Sequence, residues 1–285
     1  MDLDPLRLRD LLMRRTGPSG AVVVGRRVEY YARLSSTNDR ARELASSGEP
    51  EGTVVLAGEQ THGRGRASHS WHSPPGLGVY LSAIFRPVAL PSAVPLFGLL
   101  AAVAATYAMH RLDLDTIRIK WPNDLVIPDR SPAGRYRKVG GILTEARTGP
   151  DTIRDLVVGV GVNVNHTESD FPAELEQRPT SLRIIGGRVI DRTDVAFQVL
   201  AALGEWYAVW PREGDEAVLQ AYVKLALDLR GARVRVRGDD DTWEGVTAGL
   251  SPDGALRVVP DGPRPAARDG VVEVRYGDLA HIEET

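Results

Sequence analysis

The sequence predicts an α+β fold, in which a mixed or antiparallel sheet with packed helices is followed by a small C-terminal β-barrel. Between residues 116 and 164, short strand-like segments alternate with turn residues, which is typical of a mixed or antiparallel sheet rather than a parallel doubly wound one. After Gly231 the pattern changes to short alternating strands joined by Gly, Asp and Pro, as in a small barrel. We therefore predict two domains, over residues 1–230 and 231–285.

The first elements follow from signals near the N-terminus. Leucines near helical spacing predict a helix over residues 2–15, and the segment 28–34 is typical of a strand. The run SSTND at 35–39 consists of helix N-cap residues and predicts a second helix that ends near Gly48. Apolar strands, TVVLAG and GVYLSAIF, are then predicted on both sides of a long loop.

The later elements form the body of the larger domain. Apolar residues on one face predict a core helix over 91–112, and amphipathic helices are predicted over 193–210 and about 213–229. The strands predicted between these helices cover residues 116–120, 125–127, 139–147 and 153–164.

The composition narrows the class of protein. A net charge of -3 over 285 residues gives no global basic field for bulk nucleic-acid binding. The absence of cysteine excludes disulfides, thiolate metal sites and a cysteine nucleophile. We find no apolar run near the roughly 18 residues that a membrane span needs. The acidic N-terminal segment does not resemble a signal peptide, so a cytoplasmic location is expected.

The long loop from Gly58 to Gly76 carries the strongest local signal for a function. It alternates two glycines with two arginines at residues 63–66, and it holds three of the six histidines and Trp71. Glycines let the backbone approach a ligand closely, and arginines offer fixed, charged forks for carboxylate or phosphate. A solvated basic loop would explain the same composition, so this loop alone does not decide between the two interpretations.

Four further segments combine Gly, Asn and charge: SSTND, KWPND at 120–124, RKVGG at 137–141 and GVGVNVN at 159–165. Each has a purely structural explanation, as a helix cap, a turn, a solvated strand end and a strand weakened by glycine. Each also suits a ligand. The lysine, amide and carboxylate of KWPND could hold a phosphate and its Mg²⁺, and Lys138 could reach a ligand across two glycines.

Common catalytic signatures are absent from the sequence. The GRGR loop is followed by a strand rather than a helix, so it is not a dinucleotide fingerprint, and no GxxxxGK[ST] loop occurs. HExxH, GxSxG and kinase motifs are also missing.

Taken in order, SSTND, GEQTHGRGR with Trp71, KWPND, RKVGGILTEA and GVGVNVN resemble the motifs of the biotin protein ligases (biotin–[acetyl-CoA-carboxylase] ligases). The resemblance runs from about Ser35 to Asn165, and TSLR at 180–183 also fits. It implies a class II synthetase-like catalytic domain with an SH3-like barrel. It further implies that biotin and ATP give biotinyl-5′-AMP and pyrophosphate, and that biotin then passes to one lysine of a biotin carboxyl carrier protein.

The resemblance implies a role for each matching residue. The biotin-binding residues would be Ser36, Thr37, Asn38, Gln60, Gly63, Arg64, Gly65, Arg66, Lys138 and Gly141. The ATP-binding residues would be Arg64, Arg66, Trp71, Lys120, Asn123, Asp124 and Asn163, with Trp71 packed on the adenine. Arg66, Lys138 and Lys120 would be the catalytic cations, and Asp124 would bind Mg²⁺. Such a reaction proceeds by positioning and electrostatic stabilisation and needs no enzyme nucleophile.

Some features depart from the family pattern. Ala67 to Ser70 replaces a further basic run, and the loop from Ile127 to Arg137 is longer than usual. Bifunctional members carry an N-terminal winged helix-turn-helix, but here SSTND begins at residue 35, too early for that domain. We therefore expect a monofunctional ligase with no specific DNA binding and no membrane association. Some members dimerise through an exposed sheet, so a homodimer is an open alternative.

Two other functions stay open at this stage. An acyl ligase for lipoate or octanoate shares the general fold, although KWPND, GRGR and the barrel count against it. A non-catalytic regulator would bind biotin or nucleotide without turnover, and the lysines at 120 and 138 count against that alternative.

Overall fold

The computed structural model describes residues 3–14, 24–66, 69–129, 136–175, 178–238, 241–264, 267–275 and 278–281. The α-helices of this described part are α1 Pro5–Arg14, α2 Thr37–Ser46, α3 Val94–His110, α4 Leu182–Gly186 and α5 Arg192–Leu225. Ala67, Ser68 and residues 130–135, which include most of the unusually long loop, lie outside it.

The first sheet has eight strands and is mixed, as the sequence predicts. The strands are β1 Arg27–Tyr31, β2 Thr53–Ala57, β3 Gly78–Phe85, β4 Arg118–Lys120, β5 Asp124–Pro128, β6 Tyr136–Thr148, β7 Ile153–Asn163 and β8 Ala226–Leu227. They lie in the order β1-β2-β3-β7-β6-β5-β4-β8. The β1–β2 and β4–β8 pairs are parallel and the other neighbours are antiparallel. The predicted α+β class is therefore confirmed.

Helices cover both faces of this sheet. Strands β2 and β3 are buried along their whole length, and alternate side chains of a strand point to opposite faces. Val55 belongs to a small apolar cluster with Leu44 of α2, whereas Val54 and Leu56 join the main core, which α3 and α5 fill. The start of α2 is thus held against the centre of the sheet.

A second, antiparallel sheet follows at the C-terminus, in keeping with the predicted small β unit. Its strands are β9 Arg230–Arg237, β10 Thr242–Leu250, β11 Leu256–Pro260, β12 Val272–Val274 and β13 Asp278–His281. They lie in the order β12-β11-β10-β9-β13. Because β9 begins at Arg230, the second sheet starts at the predicted boundary, although the division into two domains stays a prediction.

The second sheet contacts the turn between β4 and β5. The buried Trp121 indole donates from Nε1 to the Gly254 carbonyl at 3.1 Å. Gly254 has a φ of +83°, and a Cβ there would lie 2.5 Å from Leu99 Cδ1, so only glycine fits. This contact ties KWPND to both α3 and the second sheet.

One expectation about the helices needs correction. The helix predicted to about residue 229 ends at Leu225, because Ala226 and Leu227 form β8 beside Ile119 and Lys120. The predicted separation of two helices, over 193–210 and 213–229, is confirmed, because the helical backbone of α5 is interrupted at Gly214, which has a φ of +79°.

The expectation that no apolar run approaches the length of a membrane span is wrong. The segment Pro91–His110 is 20 residues long and apolar enough to cross a membrane by length and composition. Its α-helical part, α3, is buried from Leu96 to Met109 apart from a few positions and packs on α5, β6 and β7. In this fold it is a core helix.

Replacing Trp121 by Phe removes the indole donor and leaves the buried Gly254 carbonyl unpaired. We expect the free energy of unfolding to fall by about 1–3 kcal/mol, the cost of such an unsatisfied group. Urea denaturation would give a lower midpoint with an unchanged m-value. Trp210→Phe is the matched control, because its Nε1 donates to Asp215 at the exposed surface. An equal loss in both variants would contradict the proposed importance of the Trp121 bond.

Candidate active site

Strand order brings the predicted motifs together. The neighbours β3, β7, β6 and β5 carry or flank GVGVNVN, RKVGG and KWPND, and α2 and the GRGR loop lie over them. All the predicted site residues except Gly63 and Asn163 line one cavity, which we name the first cavity: Ser36, Thr37, Asn38, Gln60, Arg64, Gly65, Arg66, Trp71, Lys120, Asn123, Asp124, Lys138 and Gly141.

A buried hydrogen-bond network forms one wall of the first cavity. Thr37 donates from its backbone N and from Oγ1 to Gln60 Oε1, at 2.8 and 3.0 Å. Gln60 Nε2 in turn donates to Ser73 Oγ at 3.0 Å. Ser82 Oγ lies 2.8 Å from Thr37 Oγ1 and 2.6 Å from Asn38 Oδ1, and these two acceptors share its single hydroxyl proton. The network fixes the start of α2 relative to the long loop.

Asn38 is held by the protein itself. Its Nδ2 donates to the Leu143 carbonyl at 3.3 Å and to Glu145 Oε2 at 2.8 Å. A Cβ at Gly159 would lie 2.1 Å from Asn38 Oδ1, so the amide rests on bare backbone of β7. The side chain therefore shapes the cavity. Ser36, by contrast, is the N-cap of α2, and its Oγ accepts only a long bond of 3.5 Å from Asp39 N.

Trp71 lies on the next bare position of the same strand. A Cβ at Gly161 would lie 2.6 Å from Trp71 Nε1, and one at Gly141 would lie 3.7 Å from the indole ring. Trp71 Nε1 and Arg64 Nε are both buried, and neither has a hydrogen-bond partner within the part of the chain that the structure describes. Buried donors are nearly always paired, so these two point to acceptors on a ligand.

Lysine and carboxylate meet at the opposite wall. Lys138 Nζ lies 2.7 Å from Asp124 Oδ1 and 5.4 Å from the centre of a Trp71 ring. The side chains of Lys138 and Asp124 are largely buried. Asp124 also lies near the buried Tyr222, whose pKa is raised well above its usual value, by burial first and by the carboxylate second. Tyr222 therefore stays neutral and donates from Oη to the Pro122 carbonyl at 3.0 Å.

Two arginines of the loop have different partners. Arg66 Nη1 lies 3.5 Å from Asn123 Oδ1, and Asn123 Nδ2 donates to the Ile142 carbonyl at 2.6 Å. Arg64 Nη2 instead lies 2.8 Å from Asp39 Oδ1 and 2.8 Å from Glu145 Oε2. Arg66 is thus directed toward KWPND, and Arg64 toward α2 and β6.

A second cavity adjoins the first. The two share His69, Ser70, Trp71 and Lys138. The remaining wall of the second cavity is formed by His72, Asn163, Phe171, Glu174, Leu175 and Pro179. Lys138 and Trp71 therefore stand at the junction between a polar compartment and one with an apolar side.

The part of the chain that contains these motifs is similar to proteins of known family. A family model described as the Biotin/lipoate A/B protein ligase family matches residues 30–163. The bifunctional ligase/repressor BirA of Bacillus subtilis (strain 168) is 37% identical over 234 residues, 82% of this chain and 70% of that protein. The chain belongs to the biotin/lipoate A/B protein ligase family.

Further relatives of this ligase-family chain extend over nearly its whole length. The biotin–[acetyl-CoA-carboxylase] ligase of Mycobacterium tuberculosis is 29% identical over 290 residues, 98% of this chain and 96% of that protein. A solved biotin protein ligase from Aquifex aeolicus, in complex with biotin and ATP, is 26% identical with a TM-score of 0.71. The match covers 91% of this chain and 100% of that one.

Gly63 and Asn163 lie outside the first cavity. A Cβ at Gly63 would lie 2.5 Å from the Trp71 carbonyl oxygen, so this glycine permits close packing within the loop. Asn163 is buried, donates from Nδ2 to the Thr180 carbonyl at 3.1 Å and lines the second cavity.

Several residues of the site were missed from the sequence. Ser82 and Phe171 sit in ordinary strand or loop surroundings and carry no motif of their own, and Glu145 lies within RKVGGILTEA but was assigned no role. The predicted Lys120 and Lys138 carry a further signal, because only three of the 35 Lys and Arg residues are lysines, namely Lys120, Lys138 and Lys224. Two of the three line the first cavity, where an ammonium group serves differently from a guanidinium.

His166 supports the wall of the second cavity. Its fully buried ring stacks on Phe171 with centroids 4.8 Å apart, and neither ring nitrogen has a hydrogen-bond partner among the described residues. Burial, followed by the neighbouring His72, lowers the pKa of His166 to about 4. The ring is therefore neutral in the folded chain at neutral pH.

This histidine predicts a pH dependence of stability. Between pH 6.5 and about 4 the unfolded chain binds a proton at His166 and the folded chain does not, so stability falls as the pH is lowered through this window. The contribution is up to about 3 kcal/mol. Urea unfolding of His166→Phe between pH 4.5 and 7 should show a correspondingly weaker pH dependence. His62→Gln, at an exposed position, is the control, and parallel curves for parent and His166→Phe would contradict the assignment.

Proposed function

We propose that this chain is a biotin protein ligase that activates biotin with ATP and transfers it to a lysine of a biotin carboxyl carrier protein. The observation that carries the proposal is the position of Lys138, at the junction of the two cavities. A cation at such a junction would meet the biotin carboxylate on one side and the α-phosphate of ATP on the other. The biotin ligases among the relatives support the same assignment.

Biotin would occupy the first cavity. Its ureido group offers one carbonyl acceptor and two N–H donors, which suit the hydroxyls and amides around Ser36, Thr37 and Gln60. Ser36 has its own O–H to donate, because its Oγ only accepts from Asp39 N. Asn38 would act indirectly, since its amide is already bonded to Leu143, Glu145 and Ser82.

The nucleotide would occupy the second cavity. Phe171, Leu175 and Pro179 give it an apolar side on which a base can pack, and Trp71 lines both cavities. This arrangement agrees with the predicted contacts of Trp71 and Asn163 with the nucleotide. Lys120 and Asn123 line the first cavity, so the phosphates would extend from the second cavity past Lys138 to the KWPND side of the first.

The chemistry follows from the charges. A biotin carboxylate oxygen forms a bond to the α-phosphorus, and the bond to the pyrophosphate oxygen breaks. Lys138, Arg66 and Lys120 would stabilise the negative charge that builds on oxygen, with Lys138 held in place by Asp124. In the second step an amine nitrogen attacks the acyl carbon, AMP leaves, and the amine loses its proton to water.

Mg²⁺ fits this site only together with the nucleotide. No group of three or more His, Cys, Asp or Glu that could hold a metal occurs in the described ranges. Asp124 supplies one carboxylate, and magnesium is commonly bound by one or two carboxylates plus substrate phosphates. Asp124 would hold the ion, which would neutralise phosphate charge when bound.

Biotin-dependent ATP–pyrophosphate exchange tests the proposed function. Exchange with biotin and not with lipoate is expected, since the first cavity offers a hydrogen-bonding wall for the ureido group. Exchange with lipoate alone would overturn the substrate. Biotin binding without exchange would favour the regulator. The monofunctional type, cytoplasmic location and lack of specific DNA binding stay predictions.

Lys138→Ala should lower the exchange rate by at least about 100-fold, as expected when a group that stabilises transition-state charge is removed. The fold should survive, because the side chain lies at a cavity wall, and a thermal melt would check this. Lys224→Ala, at an exposed position of α5, is the matched control. Near-parental exchange by Lys138→Ala would refute the role of this lysine.

Arg66→Gly should release the activated intermediate, because a cation facing the phosphates is lost. The expected result is increased biotinylation of an added bystander protein such as albumin, read with labelled biotin. The small number of lysines in this chain keeps its own labelling low. Arg33→Gly removes an arginine that is 69% exposed and serves as control. Unchanged selectivity would exclude a retaining role for Arg66.

A further inference from the structure

Two carboxylates from different elements converge on one arginine of the GRGR loop. Asp39, in the first turn of α2, and Glu145, in β6, each place an oxygen 2.8 Å from Arg64 Nη2. The Glu145 oxygen that contacts Arg64 also accepts from Asn38 Nδ2 at 2.8 Å. Arg64 is therefore joined to the helix and the strand that bound the first cavity.

The same arginine keeps a buried donor for a ligand. Its Nε is buried without a hydrogen-bond partner in the described part of the chain, while Nη2 serves the two carboxylates. Arg64 also lines the first cavity. A guanidinium is rigid and planar, so fixing one edge with carboxylates fixes the direction of the remaining donors.

We propose that Asp39 and Glu145 form a clamp that positions Arg64 and thereby holds the loop residues Gly63–Arg66 over the first cavity. The two carboxylates are positioning residues, since neither lines the cavity. The clamp keeps Arg64 Nε directed at the bound biotinyl group and retains the activated intermediate. The direction of Arg64 Nε at a biotinyl group and the retention of the activated intermediate rest on the proposed function.

Arg42 provides a control within the same cluster. Its Nη1 contacts Asp39 Oδ1 at 3.4 Å and Glu145 Oε1 at 3.3 Å, but it belongs to α2 and makes no contact with the loop in this cluster. Removing Arg42 leaves both carboxylates on Arg64. If the measured effects come from a general disturbance of the charge cluster, Arg42→Gln should show them too. If they come from loss of the clamp, Arg42→Gln should behave like the parent.

Trypsin cleavage of the ligand-free chain tests the clamp without reference to activity. Cleavage after Arg64 requires local opening of the loop and tracks the open population. The variant Asp39→Asn with Glu145→Gln should raise the rate of this cleavage about tenfold, the effect of losing one charge-assisted hydrogen bond. Arg42→Gln should leave it unchanged, and peptide mapping by mass spectrometry identifies the bond. Equal rates in all three proteins would overturn the clamp.

Retention of the intermediate is measured in the same variants. Asp39→Asn with Glu145→Gln should raise bystander labelling per exchange event about tenfold over the parent. Of the two carboxylates, Glu145 contacts Asn38 and Asp39 does not. Asp39→Asn alone therefore weakens the clamp without touching Asn38, and it should also raise the ratio of bystander labelling to exchange. An unchanged ratio with intact exchange would refute retention by the clamp. Absence of exchange in the parent would instead refute the proposed function, and the trypsin result would still decide the clamp.

Discussion

The site depends on a strip of bare backbone in β7. At Gly159 and Gly161 a side chain would collide with Asn38 and Trp71, which lie directly on the strand. Because alternate residues of a strand share a face, two glycines at this spacing clear one continuous stretch of one face. Asn38 brings the start of α2 onto that stretch, and Trp71 brings the loop. Both cavities exist because these two side chains lie so close to the sheet.

Charge is arranged differently on the two sides of the loop. Arg64 contacts the carboxylates of Asp39 and Glu145, and Arg66 Nη1 lies 3.5 Å from Asn123 Oδ1. Among the described residues that line the first cavity, Asp124 is the one carboxylate and it faces Lys138, whereas four Lys and Arg side chains line the same cavity, so cations predominate in its lining. Such an excess suits a carboxylate and phosphates together. One arginine of the motif therefore holds the loop against α2 and β6, and the other faces KWPND.

Much of the fold and most of the lining of the first cavity could be predicted from the sequence. The mixed sheet follows from short, closely spaced strands, and the motifs converge because their strands are neighbours in that sheet. What escaped prediction depends on long-range register. Glu145 meets Arg64 only because β6 pairs with β7 in one register, and α5 ends at Leu225 only because Ala226 finds a strand partner in β4. The glycines of β7 suggested a ligand near the backbone, and the protein's own Asn38 and Trp71 occupy those positions. Local patterns contain no information about such partners.

The scarcity of lysine has a practical consequence. Of the three lysines, Lys120 and Lys138 line the first cavity, and Lys138 is also paired with Asp124. Lys224, on the exposed side of α5, is the only lysine outside the cavity. An amine-reactive fluorophore or surface linker would therefore attach to Lys224, with the chain's terminal amine as the other target. The molecule could be tethered or labelled at the C-terminal end of α5 without engineering a cysteine.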